Sequence, residues 1–235
     1  MLKDELVIGF IPARGGSKGL PGKNLMKIND RTLIELAADC TLGGFRGKII
    51  DVAVVSSDDS DILDNAADAG CVTHERSPFA ATDEATAADV LYDYFGSPEV
   101  LIDYQDANPW VVYLQPTSPA RTALHVEEAL SMLEDQNASA LVSVSTPDKS
   151  PYWSLNIGAT GRLNPLFPEA FNSNRQQLQP AYIPNGAIYI FRLKDFMAAR
   201  SIPVSGALAY VMPAEESIDI DTQADYDRAK ALLER

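Results

Sequence analysis

An α/β fold, a three-layer sandwich on a mostly parallel Rossmann-like sheet, is predicted for this 235-residue chain by the alternation of two patterns. One is a series of short apolar runs, the first of which, Leu6 to Ile11, ends in a glycine-rich stretch as a buried parallel strand does. The other is apolar residues at helical spacing between those runs. The length is at the upper end for one such domain, and 46% hydrophobic residues supply a sizeable core, so residues 1–235 read as one main domain.

In chain order, Val52 to Val55, Trp110 to Leu114, Ala140 to Val144 and Gly186 to Phe191 repeat the look of the first strand. Between them, Val90, Leu91 and Tyr94 form one helical stripe, and Val126, Ala129, Leu130 and Leu133 form another. From about Pro147 to Pro184 the rhythm breaks into Pro, Asn and Gln with isolated aromatics, Tyr152, Trp153, Phe167 and Phe171. A solvated tether does not carry so many large apolar groups. Residues 147–184 therefore read as an inserted subdomain, expected to pack on a partner subunit or a lid. The chain closes with a helix opened by the capping box Thr222-x-x-Asp225, with Tyr226, Ala229 and Leu233 turned inward.

Nineteen Lys and Arg against 33 Asp and Glu give a formal charge of -14, which repels nucleic acid and anionic membrane. An anionic ligand must then be held by local basic clusters. The apolar runs are far shorter than the ~20 residues of a membrane span. The start of the chain, Met1-Leu2-Lys3-Asp4-Glu5, lacks the features of a signal peptide, so the cytoplasm is the expected location. Cys40 and Cys71, without C-x-x-C spacing, read as reduced packing residues.

Three motifs carry chemistry. The stretch Ile11 to Asn24 places Gly15, Gly16, Gly19 and Gly22 with Arg14, Lys18 and Lys23 after the first strand, at the sheet edge where ligands bind. Glycines let backbone N–H groups approach an anion and the cations neutralise it, which suits a polyphosphate. Five residues separate Gly16 from Gly22-Lys23, and Asn24 follows where a Walker A loop has Ser or Thr, so this is a different loop; a G-x-G-x-x-G is also missing. Second, Ser217 to Thr222 alternates as a strand, with Asp219 and Asp221 on one face. Two such carboxylates repel unless a cation sits between them, and magnesium bridging to phosphate oxygens is the natural occupant. Third, Gln115 to Arg121 follows a strand and precedes a helix, where Thr117 or Ser118 is expected to cap. Asp58-Asp59 at the same edge reads as a helix start.

The Ile11 to Asn24 run resembles the signature of the acylneuraminate cytidylyltransferases. Four further blocks are similar to that family in the same order: Arg76 through Asp83 to Thr86, Leu114 to Pro119, Arg175-Gln176-Gln177 with Pro184 to Tyr189, and Ser217 to Thr222. The resemblance covers nearly the whole chain. It implies a nucleotidyltransferase sheet with a small dimerisation insert that crosses to the partner of a homodimer and helps cover its site. It also implies a magnesium-dependent reaction in which the anomeric hydroxyl of a 2-keto-3-deoxy sugar acid attacks the α-phosphorus of CTP and pyrophosphate leaves. Carried over by residue, Arg14 and Lys23 hold the phosphates, with Gly16, Ser17 and Lys18 nearby. Asn24, Arg76 and Thr86 lie toward the nucleoside. Gln115, Thr117, Ser118, Trp153, Arg175, Gln176 and Asn185 lie toward the sugar acid, and Asp219 and Asp221 bind magnesium. Arg14, Lys23, Asp219 and Asp221 are then the catalytic set. His74 and His125 fall outside the resembling blocks, so neither is assigned as a base.

Two positions depart from the sialic acid pattern: Trp153 stands where a lysine is usual and Ile183 where an arginine is usual. Arg175 is left to bind the sugar's carboxylate, and the more apolar surroundings favour legionaminic or pseudaminic acid over sialic acid. Two other readings stay open: a nucleotidyltransferase acting on another sugar or cofactor phosphate, and a non-catalytic nucleotide-binding sensor.

Overall fold

The computed structural model describes residues 5–17, 19–42, 50–104 and 106–234. The first apolar run is strand β1 (Val7–Pro12). Beyond the glycine-rich loop, a short ribbon of β2 (Lys27–Ile28) and β3 (Arg31–Thr32) turns at Asn29 and Asp30, both at positive φ, into helix α1 (Leu33–Leu42). Next come β4 (Val52–Ser57), α2 (Ser60–Asp68), β5 (Val72–Glu75), α3 (Ala87–Phe95) and α4 (Pro98–Tyr104). Strand β6 (Trp110–Tyr113) leads through α5 (Ala123–Gln136) to β7 (Ala140–Ser145). The insert folds as a hairpin of β8 (Leu155–Ile157) and β9 (Leu163–Pro165) followed by the short α6 (Pro168–Phe171). The core resumes with β10 (Ile183–Arg192), α7 (Leu193–Ala199), β11 (Leu208–Val211) and α8 (Gln223–Leu233).

The described residues form a seven-stranded sheet in the order β11-β7-β10-β6-β1-β4-β5. Every pairing is parallel except those of β10, which runs antiparallel to both β6 and β7. The reversal follows from the route of the chain. The insert leaves β7 at its carboxyl end and returns there, where Ile183 pairs with Ser145, so no crossover carries the chain back for another parallel strand. β10 begins at Ile183, so the insert ends two residues earlier than the sequence suggested.

Three layers result because β1 is buried on both faces. Val7 and Ile11 join the cluster under α1, α2 and α5, while Ile8 and Phe10 join the one beneath α3 and α7 with Phe95, Phe191 and Phe196. A third, smaller cluster of Ile28, Leu33, Ile218, Ile220, Tyr226 and Ala229 seats α8. Its helix opens with the expected capping box, Thr222 accepting from the Asp225 N–H.

Two local expectations need correcting. The segment Ser217 to Thr222 keeps its alternation but joins no strand ladder; the Ile220 N–H donates to the Thr117 carbonyl at 2.8 Å, and burial of Ile218 and Ile220 sets which way the aspartates face. The cap of α5 is Thr122, in a capping box with His125, and not Thr117 or Ser118. The loop after β6 needs those residues for turns of its own, and the helix starts only after Arg121.

Cys40 and Cys71 are free and buried. Burial, with a smaller push from the charge of Asp39, raises the Cys71 thiol to about 11. Iodoacetamide at neutral pH is expected to leave Cys71 unmodified in the native protein and to alkylate it after denaturation, as mass spectrometry would read; rapid native alkylation would contradict this packing. Among the described residues no helix is long and apolar enough to cross a membrane.

Candidate active site

β1 ends beside the carboxyl end of β4, and the Ala13 N–H still bonds the Ser56 carbonyl at 2.9 Å. The chain then turns sharply. Gly15 N–H donates to Asp58 Oδ1 at 3.0 Å, and a Cβ on Gly15 would come within 2.5 Å of Asp59 Oδ2. Asp59 caps α2, accepting from the N–H groups of Asp61 and Ile62, so the expected helix start is found there. Gly16 faces open space, and Ser17 is buried with its N–H on the Gly15 carbonyl. Gly22, at φ 67°, opens a 3-10 turn over Lys23–Leu25. That turn buries Asn24, whose Nδ2 donates to the Arg14 carbonyl at 2.9 Å and ties the two ends of the loop together. Lys18 lies outside the described residues.

Both described cations of the loop have acidic partners. Arg14 Nη1 is 2.9 Å from Asp83 Oδ1, and Lys23 Nζ is 3.0 Å from Asp221 Oδ1 and 2.8 Å from the Ile220 carbonyl. An exposed pair such as Arg14 with Asp83 contributes only about 0–1 kcal/mol, so a multiply charged phosphate chain can displace it. The contact from Lys23 joins the glycine loop to the carboxylate segment. Backbone contact joins them too, since a Cβ on Gly19 would lie 2.5 Å from the Asp221 carbonyl oxygen.

Asp219 and Asp221 face outward, as the alternation required. Asp219 is exposed at its surface yet crowded by protein atoms, and this desolvation holds its pKa above the ordinary carboxylate value. Asp221 and Asp225 push the same way, and the Thr117 hydroxyl and Lys23 oppose them. Negative charge is thus in local excess. Two hard oxygen donors are the kind of ligand magnesium takes when water and phosphate oxygens fill the rest of its shell.

Arg76, which follows β5, is buried against the same edge. Its Nε lies 3.1 Å from Ser56 Oγ and its Nη2 2.9 Å from the Ser56 carbonyl. Burial lowers its pKa most; Asp58, Tyr113 and Asp93 favour its charge and Arg14 opposes it, so the two guanidiniums share one electrostatic neighbourhood. Thr86 has a local task, its hydroxyl capping α3 with Asp89.

On the sugar side the structure gathers Gln115, Thr117 and Ser118 after β6. Gln115 packs so closely on Gly186, at φ 78°, that a Cβ there would stand 2.3 Å from Gln115 Oε1. Ser118 Oγ is buried with no hydrogen-bond partner among the described residues, an open polar group of the kind a ligand or water fills. Asn185 departs from expectation. Its Oδ1 accepts from Ser143 Oγ at 2.6 Å and the Ala187 N–H at 3.2 Å, while its Nδ2 donates to Ser217 Oγ at 2.9 Å. Its amide braces β7, β10 and the carboxylate segment. Trp153 and Gln176 stand on 3-10 turns of the insert, Trp153 40% exposed; the side chain of Arg175 lies outside the described residues.

Residues 8–154, from β1 to the start of the insert, match the model of the cytidylyltransferase family. The chain belongs to that family. It is 34% identical over 221 residues to the N-acylneuraminate cytidylyltransferase of Streptococcus agalactiae, a match covering 93% of this chain and 51% of the relative, so it spans about half that protein's length. It is 32% identical over 236 residues to the CMP-N,N'-diacetyllegionaminic acid synthase of Legionella pneumophila, covering 97% of this chain and 96% of the relative. In three dimensions it is similar to a solved CMP:2-keto-3-deoxy-manno-octonic acid synthetase in complex with CTP, with a TM-score of 0.69 at 17% identity over 98% of this chain and 99% of the other. That likeness shows a shared fold.

In this member of the family, sequence reasoning missed what three residues do to shape the edge. Asp58 pins the Gly15 amide and Ser56 anchors Arg76. Arg121, buried, donates from Nη1 to the carbonyls of Gln115 and Ala187, both at 2.9 Å, and locks the loop after β6 to β10. A signal existed for Arg121, a lone cation closing the block that follows an apolar strand. A serine within a buried strand gives none.

Proposed function

We propose that this cytidylyltransferase transfers CMP from CTP to the anomeric hydroxyl of a nonulosonic, sialic-like 2-keto-3-deoxy acid, releasing pyrophosphate. The observation that carries the reading is the junction of Lys23 with Ile220 and Asp221, where a cationic glycine loop meets a carboxylate pair at the ligand edge of the sheet. Arg14 and Lys23 exchange their carboxylate partners for triphosphate oxygens, while the pinned Gly15 and the Asn24 tie hold the loop's shape. Asp219 and Asp221 would hold a magnesium ion, which when bound offsets the charge of the triphosphate. The hydroxyl oxygen attacks the α-phosphorus in line and gives up its proton to solvent water, the bond to the β-phosphate oxygen breaks, and pyrophosphate departs with that electron pair. Fixed geometry and charge neutralisation carry most of the acceleration. His125 is not a base in this scheme, since Nδ1 serves the α5 cap and Nε2 lies 3.2 Å from Glu216.

The names of the Streptococcus and Legionella relatives support a nonulosonic acid as acceptor. Trp153 and Ile183, 40% and 45% exposed, offer apolar contact and favour a deoxy or N-acyl acid of the legionaminic or pseudaminic type, with Arg175 for its carboxylate. The insert also exposes Leu155, Ile157, Leu163, Leu166 and Phe167, an apolar surface that a second copy in a homodimer would cover. Two buried free cysteines suit a reducing, cytoplasmic setting.

Pyrophosphate release with magnesium and a panel of nucleotides and sugar acids tests the proposal. CTP is expected to be used over UTP and GTP, and a legionaminic- or pseudaminic-type acid over N-acetylneuraminate. Preference for UTP or GTP would favour a nucleotidyltransferase of another sugar or cofactor phosphate, and binding without pyrophosphate release would leave a nucleotide sensor. Faster turnover of N-acetylneuraminate would sink the acceptor preference alone.

A further inference from the structure

We propose that His74 is a positioning residue for Arg76, acting through the Ser56 hydroxyl, and that the neutral imidazole sets how tightly CTP is held. This rests on the reading that Arg76 meets the nucleotide. Ser56 Oγ lies 3.1 Å from Arg76 Nε and 3.1 Å from His74 Nδ1. The Asp93 carboxylate, which only accepts, lies 3.7 Å from His74 Nε2 and favours the ring hydrogen there, which leaves Nδ1 bare; the Ser56 oxygen then accepts from Arg76 Nε–H and its own hydrogen goes to Nδ1. Ser56 is fully buried, so bulk water does not compete for its hydroxyl. Its carbonyl takes the second bond from Arg76, at Nη2, so one residue of β4 orients the whole guanidinium.

The groups packed on the imidazole come from three directions. Besides Ser56 on β4, α3 contributes Asp93, which also accepts from the Ser77 N–H at 2.9 Å, and Tyr94, whose ring meets the imidazole edge-on at 5.1 Å. Arg76 stands two residues along the chain from His74. Burial keeps the imidazole pKa below the usual histidine value, Asp93 raises it in part, and Arg76 lowers it further. The ring is therefore neutral at neutral pH and gains its proton only on the acid side of the usual histidine range. A proton on Nδ1 turns it into a donor, so the Ser56 hydroxyl hydrogen loses its partner, its oxygen is shared between two cationic donors, and a second positive charge stands beside Arg76. The Nε contact weakens, the guanidinium is left on the Ser56 carbonyl alone, and CTP binding weakens.

The test is the KM for CTP, with kcat, between about pH 5 and 8, for wild type, H74N, H74F and R76K. Because the triphosphate titrates in the same range, the readout is the ratio of variant to wild-type KM at each pH. In H74N an amide oxygen replaces Nδ1 as a non-titrating acceptor; its KM is expected to match wild type at the alkaline end and to be about three- to tenfold lower than wild type at the acid end. In H74F the ring still packs on Tyr94 but the acceptor is gone, so KM is raised by a similar factor at the alkaline end, with kcat little changed and the near-ultraviolet circular dichroism retained. An H74N ratio that stays at one across the range, or a folded H74F with wild-type KM at the alkaline end, would overturn the proposal. R76K separates the two levels. A raised KM for R76K beside unaltered His74 variants defeats the role of His74 alone, and an unaltered KM for R76K defeats the reading of Arg76 and the proposal with it.

Discussion

Replacing Asp219 by Asn is expected to lower kcat by about 10²- to 10³-fold while leaving the fold as stable as before. The two effects separate because of where the charge sits. The Asp219 carboxylate is desolvated and faces Asp221 and Asp225, so the folded protein tolerates its charge and is not held together by it. Asn keeps the shape and an acceptor for the Thr117 hydroxyl, but removes one of the two anionic donors that suit magnesium. Asp221→Asn should lose a similar factor, and it also takes the countercharge from Lys23, leaving it neutral oxygen acceptors, among them the Ile220 carbonyl at 2.8 Å. Thermal melts with rates across a magnesium titration would show this. Full turnover in either variant at limiting magnesium, with unchanged melting, would require abandoning the carboxylate pair as the metal-holding group.

Gly19→Ala is expected to reduce kcat/KM by about a hundredfold, since displacements near 1 Å at a reacting centre have that scale. The new Cβ would stand 2.5 Å from the Asp221 carbonyl oxygen, which is backbone and cannot swing aside like a side-chain end. Either the phosphate loop or the carboxylate segment must shift. The segment is fastened by Ile218 and Ile220 in the core and by the Ile220 bond to Thr117, so the loop is the part that yields. Its movement pulls Lys23 and Arg14 from the positions in which they would meet the triphosphate. Wild-type kcat/KM in a folded Gly19→Ala protein would mean that loop and carboxylates act independently, against the junction on which the proposed function rests.

The carboxylate pair was legible in the sequence, and the contact of the glycine loop with it was not. Asp219 and Asp221 could be placed on one face from alternation alone, because Ile218 and Ile220 can satisfy burial in only one way. That they face outward from an extended segment with no ladder could not be read, since alternation reports which side is buried and not what hydrogen-bonds the backbone. The Gly19 contact could not be read at all, as it joins residues 202 positions apart in the chain. The cap of α5 shows a related failure. Thr117, Ser118 and Thr122 are all competent caps, and only the turns bonded by Ser118 to Gln115 and by Arg121 to Ser118 leave Thr122 as the one at the helix start.

The layers, the glycine loop and the spacing of the carboxylates are written in the chain, because apolar periodicity and charged residues at fixed spacing act locally. How the amides and cations are engaged depends on which elements the fold brings together. Asn185, expected to face the sugar, braces β7 against β10, because a buried amide must satisfy its hydrogen bonds wherever the fold brings partners. Asp58, Ser56 and Arg121 became part of the site in the same way, through contacts between strands whose order in space no single stretch of chain encodes.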